Sequence, residues 1–122
     1  WAKAEAEFHA ETRIEPGNAE AAYRLGAAYL EQGKLSEART ELERSDKLRP
    51  GMPETLYSLG KTASLQNDLS SAEAAWTRLL AIEKDSALVL QTHFRLAGIY
   101  RKQGKMAEAE RQMTEFQRMK KK

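Results

Sequence analysis

The side chains best suited to acid–base, metal-binding or nucleophilic chemistry are two histidines, His9 and His93, and a scatter of hydroxyls. A metal needs several His, Cys or carboxylate ligands at recognisable spacing. Neither histidine has such a partner, and periodicity puts His93 on the buried stripe of a helix, so packing is its reading. The absence of cysteine removes thiolate nucleophiles, thiolate metal sites and a disulfide framework. Ser45, Ser70 and the other hydroxyls stand in no sequence context for an activated nucleophile, and no glycine-rich phosphate loop follows a strand. No catalytic residue, metal site or cofactor is therefore expected, and the chain does not read as an enzyme.

What remains is charge and aromatic surface. Net charge is +2, but residues 1–86 carry 11 Lys/Arg against 15 Asp/Glu (−4), and residues 87–122 carry 9 against 3 (+6). The terminal Lys120-Lys121-Lys122 suits the negative end of a helix dipole and solubility better than nucleic-acid binding, which is not expected. At 122 residues, with 41% apolar and 31% charged side chains and a mean hydropathy of −0.70, the composition fits one folded domain. No apolar run approaches the roughly 18 residues of a membrane span, and nothing at the start reads as a signal peptide. The chain opens at Trp1 in what reads as mid-element, so cytoplasm and periplasm both stay open.

The elements that position these side chains come from an internal repeat. The stretch 23–50 is echoed without a gap by 57–84: Leu25, Gly26, Gln32, Leu35, Ala38 and Leu42 reappear 34 residues on as Leu59, Gly60, Gln66, Leu69, Ala72 and Trp76. A third copy, 94–121, follows 37 residues later through Leu96, Ala97, Gln103, Met106, Ala109 and Met113. Ala4, Phe8 and Pro16 place a partial copy at the start. Each copy carries two helical stripes. In the first, Ala22, Leu25, Tyr29 and Leu30 form one, ending at Gln32-Gly33, where glycine permits a left-handed turn. Ser36 is the expected N-cap of the next helix, with Glu37 in its first turn. Ala38, Leu42 and Leu48 form the second stripe, closed by Pro50-Gly51. Small residues at Gly26, Gly60 and Ala97, and at Ala38, Ala72 and Ala109, let helix axes approach. Asn67 tolerates left-handed geometry in the middle turn. The extra residues near Ala87-Leu88-Val89 lengthen a helix over about 87–102, with Ser86 as its N-cap.

A 34-residue helix-turn-helix unit with these residues resembles the tetratricopeptide repeat family over essentially the whole chain. The departures are Asn67-Asp68 for Gly33-Lys34, Ala63 for Tyr29, and Lys84 where Pro16 and Pro50 close earlier units. The resemblance implies an all-α helical-repeat solenoid, a right-handed superhelix of antiparallel helix pairs with about seven helices. Its expected division is 1–17 as the second helix of a truncated repeat, then repeats at 18–52, 53–86 and 87–122. It further implies a non-catalytic scaffold whose first helices line a concave groove that grips a protein or peptide.

On that arrangement Tyr23, Tyr57 and Phe94 fall at equivalent places in an aromatic row, either as binding anchors or as packing between neighbouring repeats. Arg24 lies beside Tyr23. Lys61, Arg95, Arg101 and Lys102 concentrate positive charge toward the last repeat, favouring an acidic segment or simply facing solvent. Relatives that clamp a terminal carboxylate use Lys and Asn where this chain has Tyr23, Ala27, Ser58, Gln91 and Arg95. Only Arg95 is suitable, so that ligand is not expected. Helix 2–14, with Ala4, Ala6, Phe8 and Ile14 on one side, lacks the helix it would pack on and is a candidate for self-association. The second reading of the chain is accordingly a structural or self-assembling segment of a larger protein.

Overall fold

The computed structural model describes residues 18–121, and the expected helix 2–14 lies outside them. Six helices run through the described part: α1 (Ala19–Glu31), α2 (Leu35–Leu48), α3 (Pro53–Leu65), α4 (Leu69–Ile82), α5 (Ala87–Lys102) and α6 (Met106–Lys120). They form three pairs, α1–α2, α3–α4 and α5–α6, each packed on the next in a helical-repeat solenoid.

The turns inside the pairs share one geometry. Gly33, Asn67 and Gly104 have φ of 76°, 61° and 74°, and each is followed by a residue whose N–H donates back five positions: Lys34 to Tyr29 O at 2.9 Å, Asp68 to Ala63 O at 2.8 Å, Lys105 to Tyr100 O at 2.8 Å. This doubly bonded left-handed stop satisfies carbonyls that the helix end leaves free. It also fixes where the second helix starts. Lys34 becomes the N-cap and Leu35 the first helical residue, so Ser36 sits inside the first turn and does not cap, contrary to expectation. Ser86 does cap the lengthened α5, accepting from Val89 N at 3.3 Å, and Asn18 caps α1 by accepting from Ala21 N at 3.0 Å.

Close approach within each pair rests on the small residues. A Cβ on Gly26 would lie 2.7 Å from Leu42 Cγ, and one on Gly60 would overlap the indole of Trp76. Trp76 is buried, donating Nε1–H to Tyr57 O at 3.1 Å. Around it Ala63, Ala72, Leu96, Ile99, Tyr100 and Ala109 form the largest apolar cluster, which joins the second pair to the third. Leu48 departs from the expected second stripe and is 40% exposed. Its place there is taken by Ser45, which is fully buried and donates to Ala19 O at 2.8 Å while pairing with Thr55 Oγ1 at 3.0 Å. One hydroxyl thus ties α2 to α1 and α3.

The curvature follows from which helices touch. Backbones of α1 and α3, and of α3 and α5, come within 8 Å of each other, whereas no Cα of α2 lies within 8 Å of α4, nor any of α4 within 8 Å of α6. The first helices therefore converge and the second helices splay, giving a concave side lined by α1, α3 and α5.

Candidate partner-binding groove

Tyr23, Arg24, Tyr57, Lys61, Phe94, Arg95, Arg101 and Lys102 all lie on these three helices. The aromatic places are equivalent, but their surroundings differ. Tyr57 is half-buried, 6.5 Å from Trp76 between ring centres. Its hydroxyl accepts from Arg95 Nε at 2.6 Å, and the Arg95 guanidinium stands 5.5 Å from the ring centre. Tyr23 holds the equivalent place one pair earlier, with its hydroxyl near Ser58, the residue in α3 that corresponds to Arg95 in α5. Burial first, and then the nearby Glu54 carboxylate, raise its pKa, while the Ser58 bond opposes them. Each tyrosine is a joint to the next pair.

Phe94 is different. It is 50% exposed and packs against Phe116 of α6, with ring centres 5.4 Å apart. Sequence periodicity did not single out Phe116, because the same place in the earlier copies holds Ser45 and Leu79, both buried under the following pair.

The basic residues are also sorted by their partners. Arg24, Arg39, Arg44, Arg78, Arg111 and Arg118 each pair with a carboxylate. Arg24 is thereby tied to Glu20 at 2.9 Å on its own helix. Among the described residues Lys61, Arg101 and Lys102 have no carboxylate within 4.0 Å, and Arg95 contacts only Tyr57. Lys61 is half-buried, and Arg101 and Lys102 are exposed. Unneutralised cations on one face attract a complementary anion more than paired ones do.

On the splayed side, Arg78 forks onto Asp46, Nη1 to Oδ2 at 2.8 Å and Nη2 to Oδ1 at 3.0 Å. The guanidinium holds the Asp46 carboxyl below the usual carboxylate range, helped by the Gly51 N–H and opposed by burial. Arg39 reaches from α2 to Gln66 at 2.9 Å, Asp68 at 3.1 Å and Ser71 at 3.1 Å. In the next pair Glu73 stands where Arg39 does and accepts from the Tyr100 hydroxyl at 2.9 Å. Burial, followed by that carboxylate, pushes the Tyr100 pKa up to about 12. His93 is half-buried with Nδ1 2.6 Å from Gln112 Oε1, which joins α5 to α6. Among the described residues no three His, Cys, Asp or Glu side chains gather where they could hold a metal ion. No described helix is long and apolar enough to cross a membrane.

A family model described as tetratricopeptide repeat matches residues 1–51. No curated protein sequence matches the chain. The fold is similar to solved structures titled "Crystal structure of MamA" (TM-score 0.89, 20% identity, 95% of this chain and 66% of that one) and "MamA RS-1 ArsTM double mutant" (TM-score 0.90, 18% identity, 98% and 66%). Another, "Crystal structure of MamA protein", gives a TM-score of 0.88 at 20% identity over 95% of this chain and 62% of that one. The chain spans just under two thirds of the length of these proteins, and at such identities the likeness is one of fold. Residues 1–51 thus match the tetratricopeptide repeat, and the described helix pairs share the helical-repeat fold of these structures.

Proposed function

We propose that this chain is a non-catalytic scaffold that holds a protein or peptide partner against the concave side formed by α1, α3 and α5, with repeat units at 18–52, 53–86 and 87–122. The observation that carries the reading is that Lys61, Arg95, Arg101 and Lys102 on this side have no carboxylate partner among the described residues, whereas Arg24, Arg39, Arg44, Arg78, Arg111 and Arg118 are each neutralised by one. An extended concave surface suits an elongated ligand, and unpaired cations favour an acidic one. Tyr57 and Arg95 work first as a joint between pairs, so truncating either confounds folding with binding.

Lys61→Glu is the cleaner probe, because Lys61 has no ion pair to lose. The expected outcome is that the wild-type chain enriches a protein from its source lysate at low salt and that Lys61→Glu, melting at the same temperature, loses it. Equal enrichment by both would overturn the groove reading and favour assembly through the ends of the array.

A further inference from the structure

We infer that the cleft between α2 and α4 is a binding site for the side chain of a tyrosine from a partner protein. The site lies on the splayed side, opposite the groove, and does not depend on the groove reading. Because no Cα of α2 comes within 8 Å of α4, these two helices leave between them an open cleft of about 220 Å³. Its floor is apolar, made by Leu59 and Ala63 of α3 and by Ala74 and Ala75 of α4. A cavity of about 150 Å³ is enough to hold a benzene ring.

The repeat itself shows what fits there. Tyr29, Ala63 and Tyr100 occupy equivalent places on α1, α3 and α5, and both tyrosines are buried. Between the second and third pairs, the ring of Tyr100 joins the apolar cluster around Trp76, and its hydroxyl reaches α4 and donates to Glu73 at 2.9 Å. Between the first and second pairs Ala63 ends at Cβ, and the residue in the place of Glu73 is Arg39. Ala63 and Arg39 both line the cleft. The space is one phenol ring short of its counterpart.

The walls select a neutral ring with a polar tip. Arg39 and Arg78 line the cleft together with Glu43 and Asp46, two charges of each sign, so neither an anion nor a cation is favoured. Both guanidiniums are held by their edges: Arg39 by Glu43, Gln66, Asp68 and Ser71, and Arg78 by the fork onto Asp46. The N–H donors lie in the guanidinium plane, which leaves the flat faces for stacking on an aromatic ring. Glu43 accepts from Arg39 Nε through Oε2 at 3.2 Å, and its Oε1 can take a phenol hydroxyl as Glu73 takes that of Tyr100.

The test is a titration of N-acetyl-tyrosinamide into the isotope-labelled whole chain, followed by amide chemical shifts, with the phenylalanine and leucine analogues and p-cresol beside it. The tyrosine compound should bind saturably and shift the amides of Ala63, Ala74 and Ala75. It should bind about fivefold more tightly than the phenylalanine analogue, the difference being one hydrogen bond, and the leucine analogue, with no face to stack, should bind more weakly still. Ala63→Tyr supplies the ring from within and should abolish binding. Ala74→Leu alters an exposed position on α4, so it narrows the cleft without entering the core, and should weaken binding by about tenfold as ring burial is lost. Lys61→Glu, on the groove side, should leave binding unchanged, which keeps the two sites separable. The inference is overturned by no saturable binding, by equal binding of the phenylalanine or leucine analogue, or by wild-type affinity in Ala74→Leu. Binding of p-cresol without binding of the amide would assign the cleft to free phenols and overturn a partner's tyrosine as its occupant.

Discussion

At the scale of single residues, the molecule separates glycines and glutamines that do different jobs at equivalent places. Gly60 faces a rigid indole and Gly26 a leucine, so Gly60→Ala should cost more, about 3 kcal/mol against about 1–2 for Gly26→Ala, as overpacking does. Denaturant titration of the two variants checks the order. Gln66 and Gln103 close equivalent turns, but Gln66 Oε1 accepts from Arg39 whereas Gln103 Oε1 is buried without a partner. The residue equivalent to Arg39 in the preceding pair is Glu73, an acceptor already engaged by the Tyr100 hydroxyl. A buried unsatisfied acceptor costs about 1–3 kcal/mol. Gln103→Met should therefore be neutral or stabilising, while Gln66→Met should destabilise by about 1 kcal/mol; paired melting curves compare them. That Gly60 must be small was legible from spacing; that it faces the Trp76 indole was not. The Gln103 defect was not legible either, because it depends on burial at a turn whose equivalent, Gln66, is met by Arg39.

At the scale of elements, the sequence read the helices through their stops. Gly33 and Asn67 marked left-handed turns, Ser86 marked a cap, and the three inserted residues marked a longer α5, all as found. It misread Ser36, because the double hydrogen bond that ends α1 also sets the start of α2 at Leu35. It misread Leu48, because the residue turned inward there is Ser45, whose hydroxyl finds Ala19 O and Thr55. The contacts between α2 and α4 were not legible at all, since Arg39 and Arg78 look like ordinary surface cations until the next pair is in place. Their pH dependence has a definite sign. The Asp46 pKa is lowered in the folded state, so its contribution is fully present above the unfolded carboxylate pKa near 4 and is lost as pH falls through the lower folded value. Asp46→Asn should then cost about 0.5–1 kcal/mol at pH 7, discounted for the half-exposed Arg78. The variant and wild type should converge near pH 2, as urea unfolding at the two pH values would show.

At the scale of the whole molecule, each helix pair contacts only its neighbours, so stability is a sum of pair and interface contributions. The interface between the second and third pairs holds Trp76, Leu96, Ile99 and Tyr100 and is the most apolar of those described. Removing residues 85–122 should expose Trp76, red-shift its emission and destabilise α3–α4 along with the deleted part. A retained, buried-type emission would show instead that the first two pairs stand alone. The repeat was legible because spacing survives divergence. The candidate site was only partly so: the first helices and their cations follow from the repeat, whereas the roles of Tyr23 and Tyr57 as joints, and of Phe116 as the neighbour of Phe94, depend on which pair comes next.

The second helices never meet through their backbones, and between α2 and α4 the span is crossed by long side chains, Arg78 on Asp46 and Arg39 on the Asp68 turn. Such links act as tie-rods, with the converging first helices as the fulcrum. The bend of the array between its first two pairs is then an elastic quantity set by two guanidinium lengths, and a bound segment that flattens or tightens the groove would be felt as tension in salt bridges on the opposite side of the protein.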